Sequence, residues 1–171
     1  NPESFLVARV DRNTRRKDYA STWKALLPIM HDREDVIAHF HCQSSDDGYE
    51  LAHLFSRHPS VANRFYLPGS ANNTLSWSRE DLAILYNAAD VFVSTSWGEG
   101  FGLTIAEAAS CGTPIIAQGV SSIPEVVGDG GILIKPKETI TVPSGQDQWL
   151  PNVDAFTAAI DYLYTAEKAR T

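Results

Sequence analysis

Two glutamates and three glycines between residues 94 and 108 could hold an anionic ligand. The glycines are at positions 98, 100 and 102; Glu99 lies among them, and Glu107 follows it after seven intervening residues. An apolar run precedes this stretch and a helical pattern follows it, so the glycines are expected to turn the chain between a strand and a helix. A helix N-terminus offers unpaired N–H groups and the positive end of a dipole. The stretch therefore predicts a phosphate- or anion-binding loop flanked by two carboxylates.

A cluster of cations forms a second candidate. Residues 12–17 contain Arg12, Arg15, Arg16 and Lys17, directly after the first apolar run of the chain. Four cations in six residues are also typical of a solvated basic loop, or of a surface that contacts anionic lipid or nucleic acid. The formal net charge of −7 argues against nucleic acid as the main partner.

Apolar runs and helical patterns alternate along the chain and must position these residues. The predicted strands are 5–10, 35–42, 63–67, 91–93, 114–117 and 132–134, and the predicted helices are 19–30, 47–58, 79–89, 103–110 and 153–164. Capping boxes are expected at Ser78, with Asp81, and at Ser122, with Glu125, where a single helical turn begins. Polar loops are expected at residues 70–74 and 135–151.

The predicted strands are continuously apolar, which indicates a parallel sheet covered by helices on both faces. With right-handed crossovers this is an α/β, doubly wound, Rossmann-like fold of about six strands. Ligands of such folds bind at the carboxyl ends of the strands, beside the point where the strand order reverses. We therefore expect residues 12–17 and 97–102 to line one crevice.

Length and composition are those of one globular domain. The chain has 171 residues, of which 43% are hydrophobic and 20% charged, and no apolar run approaches the length needed to cross a bilayer. The two cysteines, Cys42 and Cys111, lie far apart in apolar surroundings and do not indicate a disulfide scaffold. A reducing cytoplasm is the expected compartment.

The glycine loop resembles a family signature. Residues 99–108, with Gly112, Thr113 and Pro114 after them, resemble the signature of retaining glycosyltransferases of family 4, which have the GT-B fold. The resemblance extends to residues 87–90 and 124–127, to Gly131 and to the closing helix, and so covers essentially the whole chain. It implies that residues 1–171 form the C-terminal, nucleotide-sugar (donor) binding half of such an enzyme. The N-terminal acceptor domain would lie outside these residues.

The resemblance also implies roles for the loop residues. Glu99 would contact hydroxyls of the donor sugar, and Glu107 would hold the ribose hydroxyls, since a carboxylate accepts the two hydrogen bonds of a diol. Backbone N–H groups of Phe101, Gly102 and Leu103 would meet the sugar or diphosphate. Gly100 and Thr104 belong to the same predicted donor-binding loop. Tyr66 lies where the nucleobase pocket of the family is usually lined.

By the same resemblance, Arg12 and Lys17 have the spacing of an Arg and a Lys that neutralise the donor diphosphate. Such cations stabilise the growing charge of the leaving group, so neither a metal nor another cofactor is expected. Arg16 competes for either role. The sequence departs from the family at Asp11 and Asp18, where glycine is common.

Several alternatives stay open. Glu107 with Thr104 also has the spacing of a capping box, Glu99 could be a solvated loop carboxylate, and Phe101 could anchor the loop in the core. His39, His41 and Cys42 could suggest a metal site, but no second ligand pair has the spacing of a zinc site.

The predicted function is the donor-substrate domain of a retaining glycosyltransferase that moves a sugar from a nucleotide-diphosphate sugar to an acceptor. The acceptor, a carbohydrate or a lipid-linked group, would be bound through the N-terminal domain, and peripheral association with a membrane is compatible with this. The isolated domain is expected to transfer nothing. The alternatives are a non-catalytic nucleotide-binding module and a sugar-nucleotide epimerase or phosphorylase on the same fold.

Overall fold

A parallel sheet of six strands forms the middle layer of the protein. The computed structural model describes residues 3–68, 77–145 and 147–168. The strands are β1 Phe5–Val10, β2 Val36–His41, β3 Phe65–Tyr66, β4 Val91–Ser94, β5 Ile115–Gln118 and β6 Gly131–Ile134. Their order is β3-β2-β1-β4-β5-β6, and all neighbouring pairs are parallel. The predicted doubly wound fold is confirmed, with the reversal of strand order between β1 and β4.

Helices cover both faces of this sheet. They are α1 Tyr19–Asp32, α2 Leu51–Ser56, α3 Pro59–Ala62, α4 Arg79–Ala88, α5 Leu103–Ser110, α6 Ile123–Val127 and α7 Val153–Lys168. Successive residues of β1 point to opposite faces, so Val7 belongs to the core under α1 and α7 and Ala8 to the core under α4 and α5. Both faces of the central strands are therefore buried, which explains their continuous apolar runs.

The second helix is shorter than the predicted range 47–58. The buried side chain of Asn13 donates to the carbonyl oxygens of Gln43, at 3.1 Å, and Tyr49, at 2.7 Å, and accepts from the Tyr49 N–H at 3.0 Å. These bonds hold the segment after β2 as an irregular loop, so α2 begins only at Leu51. Pro59 then starts the separate helix α3.

The prediction of a long loop over residues 135–151 is wrong. Two antiparallel strands, β7 Glu138–Thr141 and β8 Asp147–Leu150, form a hairpin there. The Trp149 side chain packs against the core under α4 and α5, and its carbonyl oxygen accepts from the Gln118 amide at 2.7 Å. These contacts attach the hairpin to the end of β5. The polar loop expected at residues 70–74 lies outside the described residues.

One of the two predicted capping boxes is present. The Ser78 hydroxyl accepts from the Asp81 N–H at 3.1 Å, and the Asp81 carboxylate accepts from the Ser78 N–H at 3.1 Å. The box predicted at Ser122 is wrong, because the Ser122 side chain makes no capping bond to α6. Its hydroxyl donates instead to two carbonyl oxygens of the glycine loop, those of Glu99 at 2.9 Å and Phe101 at 3.1 Å.

Candidate functional site

The loops that follow β1 and β4 lie side by side at the carboxyl edge of the sheet. The Trp97 N–H donates to the Arg16 carbonyl at 2.9 Å, and the Thr95 hydroxyl donates to the Asp18 carbonyl at 2.7 Å. Residues 12–17 and 97–102 therefore meet at one edge of the sheet, as expected, and we call the surface around their junction the crevice. The site is therefore built at the reversal of strand order, where doubly wound folds bind their ligands.

The buried guanidinium of Arg9 forms hydrogen bonds with the segments that follow β1 and β4. It donates to the Thr95 hydroxyl at 2.6 Å, to the Thr22 hydroxyl and to the Lys17 carbonyl. Its carbon Cζ lies 4.4 Å from the centre of the Tyr19 ring. Arg9 holds together the parts of the chain that present the candidate charges, although it was not among the predicted site residues. The sequence feature that could have indicated this role is a cation inside an otherwise apolar strand.

Asp18 joins α1 to the glycine loop. Its backbone is in the left-handed region, with φ 47°, which glycine adopts readily and aspartate tolerates better than most residues. Its carboxylate caps α1 by accepting from the Ser21 N–H at 3.2 Å, and it also accepts from the Trp97 indole N–H at 2.9 Å. Aspartate at this position thus adds a link between the loops that glycine would lack.

Lys17 and Arg16 both pair directly with Glu99, and Asp11 joins them. The Lys17 ammonium lies 2.6 Å from Glu99 Oε1 and also pairs with Asp11 Oδ1. Arg16 Nη1 lies 3.0 Å from Glu99 Oε2 and donates to the Gly98 carbonyl. The side chains of Lys17, Glu99 and Asp11 are only 13%, 7% and 6% exposed. This arrangement excludes the alternative of a solvated loop carboxylate for Glu99.

The two carboxyl groups of this cluster respond differently to burial. Burial alone would raise the pKa of Glu99, but the hydrogen bond and charge of Lys17, with hydrogen bonds from Ser96 and Arg16, hold it below its usual value. Burial raises the pKa of Asp11, and the nearby charges of Arg9 and Lys17 offset this only in part. Glu99 is therefore the more strongly ionised partner of Lys17.

The backbone of the glycine loop is held by hydroxyl groups from the segment after β5. The Glu99 carbonyl accepts from Ser121 at 2.7 Å, in addition to Ser122. Gly102 has φ 93° and precedes α5, whose first internal bonds are donated by Ile105 and Ala106 to the Gly102 carbonyl. The N–H groups of the residues before Ile105 thus belong to the unbonded first turn of a helix.

Arg12 and Thr104 border a cavity of about 400 Å³ on the Asp11 side of the crevice. Arg12 forms a bidentate pair with Asp46, at 2.7 and 3.1 Å, and its side chain is 71% exposed. The structure therefore places Arg12 next to Asp46 rather than in the Lys17 and Glu99 cluster. The full lining of the cavity is Val10, Asp11, Arg12, Asn13, His41, Cys42, Gln43, Asp46 and Thr104.

Glu107 faces a different cavity, of about 550 Å³, between α4 and α5. Leu103 lines the same cavity, and Glu107 Oε2 accepts from the Tyr86 hydroxyl at 3.0 Å. Burial is the main cause that raises the pKa of Tyr86 well above its usual value, and the hydrogen bond to Glu107 adds to it. The Tyr86 hydroxyl therefore stays protonated and donates to Glu107. The capping-box alternative for Glu107 is wrong, because the N-cap of α5 is Gly102, which has no side chain. Tyr86 is a partner that the sequence patterns did not indicate.

The remaining predicted residues lie at the surface. Gly100 and Phe101 line a cavity of about 650 Å³ together with residues of α6. Phe101 is 57% exposed, so the alternative that it anchors the loop in the core is wrong. Tyr66 is also exposed, at the end of β3. The structure thus does not bring Tyr66 or Phe101 into the cluster around Lys17.

His39 and His41 form an aromatic cluster. Their rings stack with centroids 5.8 Å apart, and both contact the Trp77 ring edge-on. Burial, with the nearby His41, lowers the pKa of His39 to about 4, so this imidazole is neutral at physiological pH. Within residues 3–68, 77–145 and 147–168, no group of three or more His, Cys, Asp or Glu is arranged to hold a metal ion.

The chain belongs to the family described as glycosyl transferases group 1, whose sequence model matches residues 2–166. It is 54% identical over 59 residues to O-antigen chain mannosyltransferase B of Escherichia coli, a match that covers 34% of this chain and 16% of that protein. It is 41% identical over 86 residues to D-inositol 3-phosphate glycosyltransferase of Mycobacterium marinum, covering 50% of this chain and 16% of the relative. These matches thus span about a sixth of each relative.

Solved structures share the fold. One is the C-terminal domain of a glycosyl transferase group 1 family protein from Francisella tularensis, with a TM-score of 0.72 and 19% identity over 97% of this chain and 78% of that one. Another is Anabaena HepE in complex with UDP and glucose, with a TM-score of 0.70 and 22% identity over 96% of this chain and 40% of that one. The chain therefore has the architecture of one half of a GT-B glycosyltransferase. No helix in the described part of the chain is long and apolar enough to cross a membrane.

Proposed function

We propose that this chain binds the nucleotide-diphosphate sugar donor of a retaining glycosyltransferase of family 4. The observation that carries the proposal is the buried pairing of Lys17 with Glu99, which joins the loops after β1 and β4. A cation for a diphosphate and a carboxylate for sugar hydroxyls thus lie next to each other at the edge where doubly wound folds bind nucleotides. HepE, which shares the fold, forms a complex with UDP and glucose, and a donor of this class is consistent with that.

The residues would act on different parts of the donor. The Lys17 ammonium and the Arg16 or Arg12 guanidinium would neutralise the diphosphate, and they would stabilise it most as the sugar bond breaks and its charge grows. Glu99 would orient hydroxyls of the sugar, while Glu107 would accept hydrogen bonds from the ribose diol. First-turn N–H groups of α5, from Leu103 onward, would bind diphosphate or sugar oxygens.

Retention of the anomeric configuration follows from attack on the face that the leaving group has just left. In this proposal the departing phosphate oxygen accepts the proton of the acceptor hydroxyl, so no protein nucleophile is needed. The cations of the site would keep the diphosphate in place during this step. In this proposal the cationic side chains, rather than a metal ion, would stabilise the charge of the leaving group.

We further propose that the acceptor is bound by a second domain. In support, this chain covers 40% of HepE, and its alignments cover 16% of each of the two named relatives. The acceptor would be a carbohydrate or a lipid-linked group. The 171-residue chain alone would bind donor weakly and transfer nothing, and transfer by this chain alone would contradict that statement.

Isothermal titration calorimetry tests donor binding directly. The chain is titrated with UDP, GDP and ADP and with UDP-glucose, GDP-mannose and ADP-glucose, each with and without EDTA. We expect one nucleotide series to bind, with an affinity that EDTA leaves unchanged. A matched control is Asp161→Asn on α7, which removes a carboxylate that pairs with Arg33, outside the crevice. Failure of all six ligands to bind would contradict the proposal.

A further inference from the structure

The carboxylate of Asp11 is buried against the cation proposed to hold the diphosphate. Its side chain is 6% exposed, pairs with the Lys17 ammonium, and lines the 400 Å³ cavity that Arg12 and Thr104 also line. Lys17 therefore contacts two carboxylates, Asp11 and Glu99, before any ligand is bound. One of them, Glu99, has a proposed role toward the sugar, whereas Asp11 has none.

Two further cations of the crevice also pair with carboxylates of the chain. Arg12 pairs with Asp46, and Arg16 pairs with Glu99. The three cations and their three carboxylate partners carry equal and opposite formal charges. An incoming diphosphate must therefore compete with carboxylates that already occupy its cations.

We propose that Asp11 sets the donor affinity of this site by competing with the diphosphate for Lys17. The inference rests on the proposed function, that is, on a nucleotide diphosphate being the ligand. A carboxylate so close to Lys17 also repels the anion that Lys17 binds. For two unit charges about 6 Å apart at an effective dielectric constant of about 40, removal of this repulsion corresponds to about tenfold in affinity.

The competition is expected to depend on pH. Burial raises the pKa of Asp11, so this carboxyl becomes neutral at a higher pH than an exposed aspartate does. As pH falls, the wild-type site should lose the repulsion and approach the behaviour of a site without this charge. Several other ionisable groups surround Asp11 or line the same cavity. They are Arg9, Arg12, Lys17, Tyr19, His41, Cys42, Asp46, Tyr86 and Glu99.

Comparison of wild type with Asp11→Asn isolates the effect of the Asp11 charge on donor binding. The variant retains all the neighbouring ionisable groups and the shape of the side chain at position 11. Wild type and Asp11→Asn are titrated calorimetrically with UDP-glucose, GDP-mannose and ADP-glucose at pH 7.5 and pH 5. We expect the variant to bind about tenfold more tightly at pH 7.5 and the ratio of the two dissociation constants to move toward one at pH 5. Asp161→Asn is the matched control, and its affinity should equal that of wild type.

The outcomes are distinct. If wild type binds measurably and Asp11→Asn binds equally or more weakly than wild type, the proposed role of Asp11 is wrong and the proposed function is unaffected. No binding by either protein overturns the proposed function and this inference with it. If circular dichroism shows that Asp11→Asn is unfolded, Asp11→Ser, which removes the charge and retains a hydrogen-bond acceptor for Lys17, is measured under the same criteria.

Discussion

The Lys17 ammonium is expected to contribute strongly to the stability of the crevice. Lys17→Met keeps the aliphatic stem and removes the charge that faces Asp11 and Glu99, whose side chains are 6% and 7% exposed. Removal of one partner from a buried ion pair costs about 3–5 kcal/mol. Arg16 remains 3.0 Å from Glu99, so we expect the lower end of that range, about 3 kcal/mol. For a chain of this length, that is a fall in melting temperature of roughly 6–12 °C.

The sign of the pH dependence follows from the pKa directions. The lowered pKa of Glu99 means that its pairing stabilises the folded state above the ordinary pKa of glutamate and that this contribution is lost as pH falls through the folded-state pKa. Without the ammonium, the buried carboxyls of Glu99 and Asp11 should instead have higher pKa values, and protonation would then relieve their repulsion. The loss of stability in Lys17→Met is therefore expected to be largest near neutral pH and smaller near about pH 4–5.

Urea denaturation followed by tryptophan fluorescence, at pH 7.5 and pH 4.5, measures both effects. The matched control is Lys168→Met. Lys168 forms an ion pair with Asp35, and each of these two side chains is about one-third exposed. Such a surface pair contributes under about 1 kcal/mol. Equal losses of unfolding free energy in the two variants, or a loss in Lys17→Met that does not shrink at acidic pH, would refute this reasoning.

Two further predictions concern the fold around the site. Gly102→Ala should destabilise the protein by about 1–2 kcal/mol, because φ is 93° and the added Cβ would make only an ordinary contact, 3.5 Å from Ile105 Cδ1. Gly100→Ala is its control and should change the free energy of unfolding by under about 0.5 kcal/mol, since its Cβ meets nothing within 4 Å; equal losses in urea denaturation would contradict the backbone explanation. Phe156→Ala should cost about 3–5 kcal/mol, because the ring is fully buried between α7 and the sheet. A loss below about 1 kcal/mol in the same assay would mean that α7 is not part of the core.

The main layers of the fold could be predicted from sequence because parallel strands buried on both faces give continuous apolar runs. The hairpin of β7 and β8 could not, since it is an exposed two-stranded addition whose residues are mostly polar. Its attachment to the rest of the protein depends on tertiary contacts of Trp149 that a local pattern does not contain. The start of α2 was missed for a similar reason, because a side chain 38 residues before Leu51, that of Asn13, determines it.

Part of the candidate site could be predicted as well. The junction of the two loops follows from fold topology alone. The direct pairing of Lys17 with Glu99 does not, because it depends on side-chain positions that the topology leaves open. Which arginine faces the glycine loop could not be decided, because residues 15–17 form a single 3₁₀ turn that directs Arg16 toward Glu99, while Arg12 pairs with Asp46. The roles of Ser122 and Tyr86 could not be predicted from local sequence patterns either, since each forms a hydrogen bond with a residue about 20 positions away.

The central claim is that Glu99 and Glu107 serve different parts of one nucleotide-sugar donor. Calorimetric titration of Glu99→Gln and Glu107→Gln, each with a nucleotide sugar and with the corresponding bare diphosphate, tests it most directly. Glu107→Gln should weaken both ligands equally, by about tenfold, while Glu99→Gln should weaken the nucleotide sugar more than the bare diphosphate. Equal losses for the two ligands in Glu99→Gln would contradict the assignment of this carboxylate to the sugar.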